Sequence, residues 1–214
     1  MALSKVDYNS LNVTAAASKA IKWNSTPNGF ETGDIGGAMT LLETQTASSS
    51  ATLSFTSNID DTYDEYVFKF YNMHPATDDV HFQFQADTGT NTSYNQTMTT
   101  TTFNAIHFED DSSASLQYST NLDQAQGTSF QVLSTGMGND NDQDVCGELK
   151  VFSPSSSTFV KHFIYNGNNN EYRNGSYNQF VAGYVNTTTA LTRFQFKFSS
   201  GNIDSGVIKL YGIS

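Results

Sequence analysis

His81-Phe82-Gln83-Phe84-Gln85 and Phe194-Gln195-Phe196-Lys197-Phe198 alternate between polar and aromatic side chains, residue by residue. Successive side chains of a strand point to opposite sides of its sheet, so each stretch predicts a strand with a wholly aromatic face and a polar face. One face enters a core, and the other meets water or a neighbouring chain. Sixteen Phe and eleven Tyr supply the bulk of that core, enough to fill a sandwich interior about 10 Å thick.

Outward from these two stretches, strand signals recur with turn chemistry between them. The expected strands are 39–44, 51–56, 66–72, 80–86, 103–109, 130–134, 148–153, 159–165, 177–184, 193–198 and 206–211. No segment from residue 38 onward keeps a 3.6-residue apolar period, which argues against a βαβ fold. Of the three prolines, Pro75 and Pro154 fall between expected strands as turn formers. The pattern predicts an all-β, antiparallel, jelly-roll-like β-sandwich over residues 38–214.

Residues 1–37 read differently. Asn9 to Lys22 holds the one helical signal, a turn or two after Ser10 or Thr14 as N-cap, and Pro27, Asn28-Gly29 and Gly36-Gly37 then break the chain. This segment is expected to be a short, extended and partly helical arm or linker. Its charges balance, with Lys5, Lys19 and Lys22 against Asp7, Glu31 and Asp34. No apolar h-region is present in it, so no secretory signal peptide is expected.

At 214 residues the chain can form one large domain with an arm. The apolar share of 37% is low and the intervals between apolar runs are filled with Ser, Thr, Asn, Gln and Gly, as in an all-β protein with many wet turns. The net charge of −11, without a Lys/Arg cluster, excludes nucleic acid as a partner. No apolar run is long enough for a membrane span. The single cysteine, Cys146, rules out an intrachain disulfide and reads as a small buried hydrophobe.

Four groups of residues invite a functional reading. In GNDNDQDVCGE, residues 138–148, Asp140, Asp142 and Asp144 have the first, third and fifth positions of a calcium loop. Val145 stands where an EF-hand needs Gly, and Val151 where it needs Glu, so the EF-hand reading fails. A looser calcium site from Asp140, Asp142, Asp144 and Glu148 remains open beside the plainer reading of a solvated turn. In residues 165–184, Tyr172, Arg173, Asn174 and Tyr177 have the composition of a glycan-stacking loop, and equally of a hairpin tip turning at Asn174-Gly175.

Asp60, Asp61, Asp64 and Glu65, in NIDDTYDE, are too close together in a turn to form a working acid and base pair. Tyr63 is expected to pack back on the sheet while the carboxylates solvate the tip. The histidines His74, His81, His107 and His162 are scattered, without HExxH or HxH. No GxSxG, GxGxxG or P-loop occurs. No catalytic residue is assigned, and the chain reads as a non-enzyme.

The blocks LLETQTASSSATLSFTSNIDDTYDEYVFKFYNMHPATDD, GNDNDQD, VKHFIYN and SSGNIDSGVIKLYGIS, with the opening MALSKVDYNSLNVT, resemble virion structural proteins of marine tailed phages of the cyanophage type. The likeness runs over most of the chain and includes no catalytic motif. It implies a particle component, a head decoration or a tail appendage or fibre, assembled in the host cytoplasm beside other capsid or tail proteins. By the same analogy a homotrimer docked by its arm is expected. The alternative is a carbohydrate-binding module that recognises a cell-surface glycan.

Overall fold

A computed structural model describes residues 19–24, 26, 29–33 and 39–213. Its contacts divide the chain into two compact units, Met1–Ala38 and Met39–Ser214. In the first unit β1 (Ala20–Trp23) pairs antiparallel with β2 (Phe30–Gly33). Ala20 to Lys22 are therefore strand where the sequence suggested helix. The rest of that helical expectation, residues 9–18, lies outside the described residues. Trp23 and Phe30 are directly opposed in this hairpin, and their rings stack at 4.4 Å.

The second unit contains β3 (Thr40–Thr46), β4 (Leu53–Phe55), β5 (Glu65–Pro75), β6 (Val80–Thr88), β7 (Met98–Phe108), β8 (Ala114–Tyr118) and β9 (Ala125–Gly127). It continues with β10 (Gln131–Met137), β11 (Val145–Phe152), β12 (Lys161–Glu171), β13 (Gly175–Val185), β14 (Leu191–Phe198) and β15 (Ile203–Ile213). All eleven strands expected from the sequence are present, and every ladder is antiparallel. β8 and β9 are additional; both are short and lie along β7.

The larger layer runs β3-β15-β5-β11-β12-β13-β7, with β8 and β9 beyond β7; the smaller runs β10-β6-β14-β4. The layers join where Met137 of β10 pairs with Glu171 at the end of β12. On the opposite side the chain turns from β3 into β4, and Gln45 Nε2 donates to the Ser54 carbonyl at 2.8 Å. The result is the expected jelly-roll-like sandwich, closed nearly into a barrel.

The core fills as the two opening stretches predict. Phe82, Phe84, Phe194, Phe196 and Phe198 are buried and His81, Gln83, Gln195 and Lys197 partly exposed, but Gln85 departs from the pattern: it is fully buried, its Nε2 donating to the carbonyls of Gln96, Thr128 and Ser129 at 3.0, 3.2 and 3.1 Å. Phe196 lies at the centre, its ring 5.1 Å from Phe68 and 5.2 Å from Phe70 across the layers, and 6.1 Å from both Phe55 and Phe82. Burial of each such ring contributes about 1.5–3 kcal/mol relative to exposure. A polar link also spans the layers, because the hydroxyls of Tyr165 on β12 and Ser134 on β10 lie 2.7 Å apart in the interior. Burial raises the Tyr165 phenol above its ordinary range, and the group stays a neutral hydrogen-bonding partner.

The ladders are not uniform. β15 shifts register twice against β5 near Gly206, whose φ is +124°. A side chain there would meet the Asn72 carbonyl at 2.6 Å, so the bulge depends on glycine.

Candidate functional site

The stretch NIDDTYDE connects β4 to β5. Its geometry is that of a turn tied to the sheet: the Asp60 carboxylate accepts from Thr62 N at 2.9 Å, and Tyr66 Oη bonds the Asp60 backbone. The hydrogen bonds from Thr62 hold the Asp60 carboxyl below its ordinary value. Tyr63 packs edge-on against Tyr66 at 5.9 Å and covers Gly212 of β15, as the sequence suggested.

The acidic residues of 138–148 do not converge. Asp142 and Asp144 line a polar pocket of about 350 Å³ with Asn72, His74 and Asp204. Asp144 Oδ2 accepts from Asn72 Nδ2 at 2.6 Å, and the Asp140 carbonyl closes a turn by accepting from Gln143 N. Glu148 is elsewhere, on β11, with its carboxylate 3.6 Å from Lys69 Nζ and 3.1 Å from Lys150 Nζ. The calcium quartet is thus corrected: its fourth member is engaged by two lysines. Among the described residues no group of three or more His, Cys, Asp and Glu is placed to hold a metal.

The structure does gather Tyr172, Arg173, Asn174 and Tyr177, at the tip of the long β12–β13 hairpin. The turn has three residues and not two, because Glu171 pairs with Gly175 and Asn174 takes φ +62°, a conformation asparagine tolerates. Glu171, 1% exposed, receives Arg173 Nη2 at 2.7 Å and Arg173 Nε at 2.8 Å. These bonds to Glu171 raise the Arg173 pKa above its ordinary value.

Arg173 also lies 5.0 Å over the Tyr172 ring and 5.1 Å over Phe108, and its Nη2 donates to Tyr177 Oη at 3.2 Å. Tyr177 itself is 8% exposed, and burial foremost raises its pKa. Of the two readings open for these residues, their geometry is that of the hairpin tip, an ion-paired turn. One tyrosine is covered by its own arginine, and the other is packed inside.

Three of the four histidines are engaged, and His162 is exposed with its ring 6.0 Å from Tyr184. His74 Nδ1 lies 2.6 Å from the Gln143 carbonyl, His81 Nδ1 lies 3.0 Å from Thr135 Oγ1, and His107 Nε2 lies 3.0 Å from Asp111. Lys161 is buried, and burial lowers its pKa, but its ammonium is committed to the carbonyls of Phe159 and Thr187 at 2.9 and 3.1 Å. Cys146 corrects another expectation. It is exposed, on the solvent face of β11, where Sγ accepts from Asn72 N at 3.3 Å.

What the sequence reading missed is the outer face of the larger layer. There Phe103 of β7 and Phe180 of β13 stand opposite each other with rings stacked at 4.8 Å and 9°, and they are 42% and 36% exposed. Tyr118 continues the row on β8, opposite Phe103. Two shallow grooves, of about 480 and 360 Å³, meet at Ile164 and cross this face. The signal lay in TTTTFNAIHF, where Thr102 and Asn104 flank Phe103; if those polar residues turn inward, the phenylalanine must face out.

No protein family, curated protein or solved structure matches the chain.

Proposed function

We propose that the protein is a non-enzymatic structural component of a tailed-phage virion. In this reading it is a β-sandwich displayed on the particle as a head decoration or tail appendage and docked through residues 1–37. The observation that carries the docking role is the β1–β2 hairpin. An isolated two-stranded hairpin of four-residue strands is marginal in water, yet this one holds Trp23 and Phe30 stacked while 62% and 40% exposed. Such an aromatic pair on a small, separate unit suits insertion into a partner surface.

The virion setting is supported by the sequence likeness described above. The non-enzymatic reading is supported by the engagement of Asp60, Asp144, Glu148, Glu171, His74, His81, His107 and Lys161 in turns, ion pairs and loop contacts. Deleting residues 1–37 tests the docking role. The truncated chain is expected to keep the strand spectrum and melting temperature of the sandwich and to be missing from assembled particles. Incorporation at the level of the full chain would overturn it.

A further inference from the structure

From the outer face of the larger layer we infer that the sandwich associates with a second copy of itself. The face centres on Phe103, Phe180, Tyr118, Leu116 and Ile164. Register makes these one patch. Phe180 opposes Phe103, Phe103 opposes Tyr118, Ala105 opposes Leu116 in the next row, and Ile164 opposes Ala182, two residues beyond Phe180.

Leu116 is 74% exposed, Tyr118 56% and Ile164 50%. With full side-chain areas of about 150–250 Å² for the aromatics, the five leave on the order of 500 Å² of largely apolar side chain in water. That lies at the upper end of the largest patch carried by an ordinary monomer, about 300–600 Å². It also supplies most of the roughly 800 Å² that each partner contributes to a standard stable interface.

Charge identifies the occupant. The chain carries −11 overall, so two copies repel over most of their surfaces. On this face the two signs lie at opposite ends: Lys69 and Lys150 bracket Glu148 and Lys209 sits 5.6 Å over Tyr71 at one end, while at the β7–β8 end Asp123 accepts from Tyr118 Oη at 2.7 Å and Asp111 lies 3.0 Å from His107. A second copy related by a two-fold axis can set the lysine-bearing end of this face against the acid-bearing end of its partner. An apolar centre of aromatic and aliphatic side chains with ion pairs at its margin is the composition of a protein interface. Leu116 and Ile164, on the two flanks of the Phe103–Phe180 pair, have no hydrogen bond to offer a sugar.

Sedimentation velocity of the full chain over a concentration series tests this without any particle, so its failure leaves the virion reading standing. A species of at least twice the monomer mass is expected, and Leu116→Lys should shift it to monomer with the melting profile of the monomeric unit kept, since Leu116 is 74% exposed and outside the core. Phe103→Ser should act in the same direction; if it unfolds the chain, Leu116→Lys alone decides. A wild-type chain that is monomeric throughout, or an oligomer that persists in Leu116→Lys, would overturn the proposal. So would a monomer that binds oligosaccharide on a glycan array and loses the signal in Phe180→Ala, which would assign the face to sugar.

Discussion

Phe196→Ala is expected to destabilise the sandwich by about 3–5 kcal/mol, the range for deleting a buried phenyl group together with the cavity it leaves. Phe196 is fully buried and contacts rings from both layers, Phe55 and Phe82 on its own side and Phe68 and Phe70 opposite. Neighbouring strands are fixed by ladders on each side, so the surroundings cannot collapse into the void. For a chain of this size the loss corresponds to a melting temperature lower by roughly 10 °C. Phe159→Ala is the control: Phe159 is 72% exposed, and its loss should change stability by less than about 0.5 kcal/mol. Equal effects of the two substitutions would contradict the placement of Phe196 at the centre.

Asp87→Ala is expected to cost about 2–4 kcal/mol, because buried donors left without a partner lose their full desolvation term. The Asp87 carboxylate is fully buried and receives Thr88 N at 2.9 Å, Tyr94 N at 2.8 Å and Gln96 Nε2 at 2.9 Å. It thereby holds the β6–β7 connection, including Tyr94 at φ +46°, a conformation that a bulky residue keeps only when its surroundings impose it. Hydrogen exchange is the sharper measurement. The Tyr94 amide should lose its protection in Asp87→Ala while β12 and β13 keep theirs, and unchanged Tyr94 protection would contradict the assigned role.

The sandwich was legible because the centre of its smaller layer repeats one simple rule. Phe82, Phe84, Phe194, Phe196 and Phe198 alternate with polar residues, and a period of two fixes both the strand and its buried face. That rule fails on β7 and β13. Thr100, Thr102 and Asn104 are buried, as is Gln179, while Phe103 and Phe180 face out, because both faces of these strands carry apolar groups and the longer-range ladder decides between them. β8 and β9 were invisible for a related reason, since their residues are mostly exposed and they are strands only by pairing with β7. Their stability comes from the neighbour they pair with.

The site residues show where composition misleads. Tyr172, Arg173 and Tyr177 have the makeup of a glycan loop, but Glu171, whose burial no local pattern announces, draws Arg173 onto the tyrosines. Likewise the spacing of Asp140, Asp142 and Asp144 suggests a cation, whereas the fourth acid, Glu148, is held on β11 between Lys150 of its own strand and Lys69 of β5. In both cases a residue distant in its own row of the sheet, or a single buried partner, decides the chemistry.

Imaging the intact phage particle at a resolution that identifies chains tests the central proposal most directly. The account predicts the sandwich in repeated, symmetry-related copies on the particle surface, with residues 1–37 against the particle wall and the Phe103–Phe180 face covered by a neighbouring copy. Purified infectious particles that contain none of this chain would contradict it.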